Sequence, residues 1–314
     1  MLATPIVFIV FNRPDTTRRV FETIRTVRPK KLFLLADGPR AGIVEDEERC
    51  RAVLEIIDNI DWPCEVVKDY SKINLGCRQR VISGLNMVFS CVPEAIILED
   101  DCLPHPSFFG YCEELIEKYR DVEQIKMISG NNYLFDSISI PASYYFSSFT
   151  HIWGWATWAR TWNEYDSGMS DWPKLLAANW LSEVFPDPSL RNYWERIFEF
   201  TYSEFISTWA FQLNYSCLVN KGLAVVPCVN LVTNIGFGND ATITKAPHIL
   251  AEVPNNEITF PLIHPEVEER NYQADLNVAK NIYFSPILPV GIAVYIEKFK
   301  RKLNKWGLLL YQQL

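Results

Sequence analysis

An α/β protein built on a mostly parallel sheet flanked by helices is predicted by two features of this sequence. Over the first hundred residues, short apolar runs alternate with longer amphipathic stretches, the pattern of successive βαβ units. The chain also has 314 residues, 48% hydrophobic and 22% charged, enough to bury a full core in one large domain.

The strands are expected at 5–11, 31–36, 64–69 and 95–98. Between the first two, Val20, Phe21, Ile24 and Val27 line one helical face that opens near the cap-like Asp15 and closes before Pro29. Further helices are expected at 45–60, at 78–90 and after Pro106. Right-handed crossovers bring the carboxyl ends of the strands to one edge, where open α/β sheets bind their ligands. The loops at that edge begin Asn12-Arg13-Pro14, Asp37-Gly38-Pro39-Arg40, Asn74-Leu75-Gly76 and Glu99-Asp100-Asp101. All are polar, and the last crowds three carboxylates at the end of a buried strand, an arrangement that calls for positive charge nearby. One or two such acids suit Mg²⁺ or Mn²⁺ on a diphosphate, whereas an isolated cluster of this kind is also a plain helix cap.

Several classes are disfavoured. Net charge is −8, with 30 basic and 38 acidic residues, so nucleic acid is not an expected partner. No Gly-rich phosphate loop follows a strand, which lowers hydride transfer, ATP hydrolysis and nucleotidyl transfer. The 8 cysteines form no CxxC pair and no zinc-spaced cluster, and buried free thiols are expected. The opening residues carry no basic leader pattern, which predicts a cytoplasmic protein.

Beyond residue 130 the composition changes: nine of the 10 tryptophans lie between Trp153 and Trp306. The expected organisation is a first half at 1–130, a second half of the same domain at 131–250, and a C-terminal extension at 251–314. Residues 141–165 read as aromatic and irregular, 172–219 as largely helical, and 222–232 as a return to strand.

Taken together, FNRP at 11–14, LADGPR at 35–40, NLGCRQRVISGLNMVF at 74–89, AIILEDDCLPHPSFFGYC at 95–112, ISGNN at 128–132, WGWATW at 153–158 and NIGFGNDAT at 234–242 resemble the GT-A fold glycosyltransferases. Within them the likeness is to the N-acetylglucosaminyltransferase I-like enzymes and their bacterial relatives. It spans residues 4–245 and implies a uridine diphosphate sugar donor held over the sheet edge with Mn²⁺ or Mg²⁺. By that resemblance Asp101 ligates the metal, and Glu99 and Asp100 contact the donor sugar and ribose, Asp100 standing also among the catalytic positions. Asn12, Arg13, Asp37 and Gly38 then hold base, ribose and phosphate, with Asn74, Gly76 and Arg80 lining the same pocket.

In such relatives an Asp in a Trp-Asp element takes the acceptor proton, as an inverting transferase requires. Here that slot is Ala210, in Ser207-Thr208-Trp209-Ala210. Three explanations stay open: an enzyme disabled by substitution at its base, which the intact donor motifs favour; an inactive homologue that binds carbohydrate or nucleotide sugar; or a base from elsewhere, Glu204 and Asp240 being nearest in sequence. His151, Trp153, Gly154, Trp155 and Trp158 are candidates for stacking on a glycan or lipid-linked glycan acceptor, with core packing the competing role. Asn234, Gly236, Phe237 and Gly238 form a candidate lid or a plain turn. From Ile292, apolar Ile296, Phe299, Leu303, Trp306 and Leu310 alternate with Lys298, Lys300, Arg301, Lys302 and Lys305. That basic amphipathic helix suits an anionic membrane surface, or packing on its own domain or a dimer mate.

Overall fold

The computed structural model describes residues 1–237, 250 and 253–284. Its strands are β1 (Ile6–Val10), β2 (Lys31–Ala36), β3 (Glu65–Tyr70), β4 (Glu94–Glu99), β5 (Cys102–Pro104), β6 (Ile125–Ser129), β7 (Tyr144–Ser147), β8 (Trp155–Trp158), β9 (Leu223–Pro227) and β10 (Val232–Asn234). The longer helices are α1 (Pro14–Val27), α2 (Val44–Ile57), α3 (Cys77–Cys91) and α4 (Ser107–Lys118). Four more follow in the second half: the short α5 (Ala159–Trp162), α6 (Trp172–Ala177) and α7 (Leu181–Val184), then α8 (Pro188–Tyr202). The chain continues through α9 (Ala210–Val219) and α10 (Tyr272–Val278) into a π-helical turn at Ala279–Tyr283.

Eight strands form one sheet in the order β3-β2-β1-β4-β8-β6-β9-β7, and β10 pairs with β5 in a separate ribbon. The β3-β2-β1-β4 half is parallel throughout, as βαβ crossovers demand. This is the expected Rossmann-like α/β architecture. Both faces are covered, so β1 and β2 read as unbroken apolar runs rather than alternating ones. Along β1, Ile6, Phe8 and Val10 pack into the core beneath α1, α2 and α4, while Val7 and Ile9 pack into the core beneath α3, α8 and α9.

Element boundaries depart from expectation by one residue at the starts of α2 and α3 and by three at the end of α2, which closes at Ile57. α1 begins at Pro14, whose fixed φ and missing N–H suit the first helical position, and Asp15 lies in the first turn instead of capping it. The segment 141–165 is less irregular than its composition suggests. It contributes β7 and β8, and β8 lies antiparallel between β4 and β6, joining the two halves into one sheet. Trp155, Ala156, Thr157 and Trp158 are all buried there. The basic amphipathic helix expected from residue 292 lies outside the described residues, as do Gly238 and Asp240. Among the described residues, no helix is long and apolar enough to cross a membrane.

The segment after residue 253 docks through Asp275. This fully buried carboxylate accepts from Ser147 Oγ at 2.5 Å, Ser148 Oγ at 2.7 Å, Ser148 N–H at 3.2 Å and Arg270 Nε at 2.6 Å. Edge strand β7 is thereby tied to the C-terminal helices.

Candidate functional site

Beyond the carboxyl ends of β1, β2 and β4 lies a cavity of about 570 Å³. Its walls include Arg13, Asp37, Arg40, Asn74, Gly76, Arg78, Arg80 and the Glu99–Asp101 run.

Asp37 organises the floor. Its carboxylate accepts from the N–H groups of Gly38 (2.9 Å), Leu75 (2.8 Å) and Gly76 (3.0 Å) and from Asn74 Nδ2 (3.0 Å), drawing the β3–α3 loop onto the end of β2. A Cβ on Gly38 would lie 2.6 Å from the Ile73 backbone, so this approach needs glycine. Gly76 has φ +77° and begins α3 with no side-chain cap, leaving the free N–H groups of the first turn beside the cavity. Gly38 therefore shapes the loop from behind and does not itself line the cavity.

Asn12 is likewise off the wall. Its Nδ2 donates to Asp46 Oδ1 at 2.7 Å, and Asp46 also takes Arg40 Nε at 2.5 Å and Arg40 Nη2 at 2.8 Å. The Arg40 hydrogen bond, helped by that of Asn12, holds the buried Asp46 carboxyl down at about 2. Arg40 is thus aimed across the mouth, with its guanidinium 5.7 Å from the Phe11 ring. Arg80 is nearly fully buried and pairs with Asp69, bracing α3 on β3.

At the end of β4 the positive charge that the acids require comes from Arg13. Its Nη1 donates to Asp101 Oδ2 at 2.8 Å and its Nη2 to Asp100, whose other oxygen accepts from Phe11 N–H at 3.1 Å. Burial works against the Arg13 charge, yet Asp100 and Asp101 outweigh it and raise the pKa above the ordinary arginine value. Burial lifts the Asp100 carboxyl above its ordinary value against the pull of Arg13, and burial beside Asp101 and Asp100 lifts that of Glu99. The Glu99 carboxylate itself takes no hydrogen bond among the described residues.

A divalent ion held by the protein alone does not fit this donor set. Among the described residues no group of three His, Cys, Asp or Glu side chains is arranged to hold a metal ion, Arg13 engages one oxygen of Asp101, and the other faces the Cys102 thiol at 3.5 Å.

The candidate lid lies directly on this cluster. Asn234 pairs with Cys102 through β10–β5, Ile235 N–H donates to Asp101 O at 2.8 Å, and Gly236 N–H donates to Asn234 Oδ1 at 2.8 Å. A Cβ on Gly236 would strike the Asp101 carboxylate and come within 2.7 Å of Arg13 Nη1. Phe237 follows with its ring edge-on to Trp153, centroids 5.7 Å apart.

From there the cavity continues into an aromatic compartment, with His151, Trp153, Trp194, Trp209, Ala210, Phe211, Asn214 and Tyr283 on its wall. Of the acceptor candidates, His151 and Trp153 reach it. Gly154, Trp155 and Trp158 do not: both tryptophans are buried in β8, Trp155 stacked on Trp209 at 5.8 Å, and Gly154 packs on Val232. Burial in an apolar setting pushes His151 down to about 4. Ala210 stands at the start of α9 with its methyl on the wall. Glu204 is absent from that wall, largely exposed and 3.7 Å from Arg78 Nη1, so it is not placed to serve as a base.

Arg40, Arg78, Asn214, Trp194 and Tyr283 were not singled out from sequence. A signal did exist for Asn214, one of three polar residues, with Gln212 and Ser216, in the buried stretch of α9.

No family model and no curated protein matches the chain. Among solved structures, a UDP-glucose pyrophosphorylase complexed with UDP-glucose is similar at 10% identity and TM-score 0.29, covering 54% of this chain and 80% of that one. A mannosyltransferase from Pyrobaculum calidifontis in complex with GDP-Man and Mn²⁺ is similar at 9% identity and TM-score 0.37, covering 70% of each chain.

Proposed function

We propose that this chain binds a nucleotide diphosphate sugar, of the uridine type, at the strand-end loops and transfers its sugar to a glycan acceptor seated in the aromatic compartment. The observation that carries the proposal is that one cavity is lined both by the guanidinium-bearing strand-end loops and by a set of aromatic side chains. Arg13, Arg40 and Arg78, with the free N–H groups at the start of α3, supply the donors a diphosphate needs. Those donors stabilise negative charge as it builds on the departing nucleotide. Closure of 234–237 over Arg13 and Asp101 keeps water from the bound sugar.

Titration calorimetry with UDP, GDP and UDP sugars, with and without Mn²⁺ or Mg²⁺, tests the donor half. Saturable UDP-sugar binding is expected, and the ion arms report whether a cation adds to the charge of Arg13. Absence of binding by every nucleotide in all arms overturns the proposal.

A second function is favoured by one specific observation. The carboxylates among the described residues that line the cavity, Asp37, Glu99, Asp100 and Asp101, all belong to the strand ends and the loops that follow them, and at the start of α9 Ala210 offers only a methyl. On that ground the chain is a silent binder of nucleotide sugar or carbohydrate, and turnover by the native protein decides against it.

A further inference from the structure

A second cleft, of about 350 Å³, lies further along α3, where that helix meets α5 and the residues after it. Asn86, Phe89 and Ser90 line it from α3, and Trp162, Asn163 and Tyr165 from the other side. Its volume falls in the range of small-molecule sites. Asn86 is about 13 Å along the helix from Cys77, the first residue of α3 and part of the cavity wall.

The polar side chains of the cleft are exposed, and one of them is held in place. Trp162 Nε1 donates to Asn86 Oδ1 at 2.8 Å, and because an indole N–H only donates, that contact fixes which end of the amide is oxygen. The Asn86 Nδ2 group, with two protons to give, is thereby turned away from Trp162. Ser90 Oγ donates to Met87 O at 2.7 Å and keeps its lone pairs for accepting. The Asn163 side-chain amide makes no hydrogen bond among the described residues, so its donors and its acceptor are all on offer.

One loop joins this cleft to the cavity. Tyr165 donates from its hydroxyl to Trp209 O at 3.3 Å, and Asp166 N–H donates to Ser216 Oγ in α9 at 2.9 Å. From the cavity wall, Arg78 Nη2 donates to Ser167 O at 3.2 Å.

The lining selects the chemistry of an occupant. It includes no Lys, Arg, Asp or Glu, so a phosphate or an acidic sugar would find no countercharge. A hydrocarbon would strip water from two amides and a hydroxyl without replacing it. The parallel rings of Trp162 and Tyr165 are closed on each other at 4.5 Å, leaving no gap between them for a flat base. A puckered ring with hydroxyls on its edge and C–H groups on its faces matches both the amides and the aromatic side chains.

We propose that this cleft is a second saccharide site, holding an uncharged sugar unit of a longer glycan outside the cavity. The site stands on its own lining; taking the glycan as one whose end reaches the cavity rests on the transfer function above.

The full chain is titrated with maltotetraose, cellotetraose, mannotetraose and N-acetylchitotetraose, with tetragalacturonate as the charged probe, and separately with UDP. Binding is read by calorimetry and tryptophan fluorescence. At least one neutral tetrasaccharide is expected to bind, about tenfold or more tighter than tetragalacturonate. Asn86→Asp keeps the acceptor for Trp162 but removes both donor protons, and Asn163→Ala removes an exposed amide. Each is expected to weaken the neutral tetrasaccharide about three- to tenfold while UDP binding and melting temperature hold, and a loss in either variant suffices. Equal binding of tetragalacturonate, affinity unchanged in both variants, or no binding of any neutral tetrasaccharide overturns the site. UDP binding alongside one of those outcomes leaves the nucleotide-sugar function standing. Tetrasaccharide binding weakened as expected, with no nucleotide binding, supports the site and instead removes that function.

Discussion

Arg13 Nη1 lies 2.8 Å from Asp101 Oδ2 while its Nη2 donates to Asp100, so the loop after β1 clamps the turn after β4 across neighbouring parallel strands. The pairing decides where positive charge sits when the cavity mouth is formed. Replacing Arg13 by Met leaves Asp100 buried without its partner, and a loss on the order of 3 kcal/mol is expected from urea unfolding. The double variant with Asp100→Asn should recover part of it, since the uncompensated charge is gone. Equal stability of the single variant and the native chain would show that the clamp contributes nothing.

His151 gives an acid limb to stability. Its folded pKa of about 4 lies below the ordinary 6.5, so between those values the unfolded chain binds the proton and the folded chain does not. Stability from this group is full above pH 6.5 and falls as pH drops toward 4, by about 3 kcal/mol in all. His151→Phe should flatten that limb in thermal melts at stepped pH. A limb that survives the substitution unchanged assigns the effect to other groups.

Ala210 is the position at which activity is expected to be restored. An aspartate there places a carboxylate on the wall at the start of α9, and proton removal by a positioned base is worth roughly 10²–10⁴ in rate. Sugar transfer by Ala210→Asp, assayed with a UDP sugar and a neutral glycoside, should exceed the native rate. No gain in rate removes this position from the mechanism.

Asp275→Ala tests how the C-terminal helices are held. The variant strands Arg270 and two serine hydroxyls in a buried pocket and is expected to cost about 3–5 kcal/mol. Amide exchange should speed up in β7 and α10 before it does in β1 and β2. Uniform acceleration across the sheet would contradict a local tether.

Gly236→Ala places a methyl against the Arg13–Asp101 pair. The segment 234–237 must then lift, so weaker UDP-sugar binding is expected with little change in melting temperature. Unaltered affinity would separate this segment from the donor site.

Much of the parallel half was legible because its causes are local or nearly so. Val7, Ile9, Phe33 and Leu35 belong to short apolar runs that only a doubly covered strand tolerates, and the polar loops follow them at once in the chain. The strand at Trp155–Trp158 was not legible. Its residues form strand because the neighbouring backbones of β4 and β6 offer hydrogen bonds, and nothing within the segment encodes those partners. The same distinction separates Trp153 from Trp155: two residues apart and alike in sequence context, one reaches the cavity and the other is sealed in the sheet.

By itself, then, the sequence determined the order of βαβ elements, the polar character of each strand-end loop and the acidic run after β4, since these depend on neighbours along the chain. Tertiary structure alone decided that Arg13 neutralises two of those acids, that Asn12 turns to Asp46, and that Asn214 accepts from Thr150. Each of these is a contact between residues 34 to 88 positions apart. Such contacts form only when the sheet has brought its loops to a common edge, where burial makes every unmatched charge or proton costly enough to select one partner.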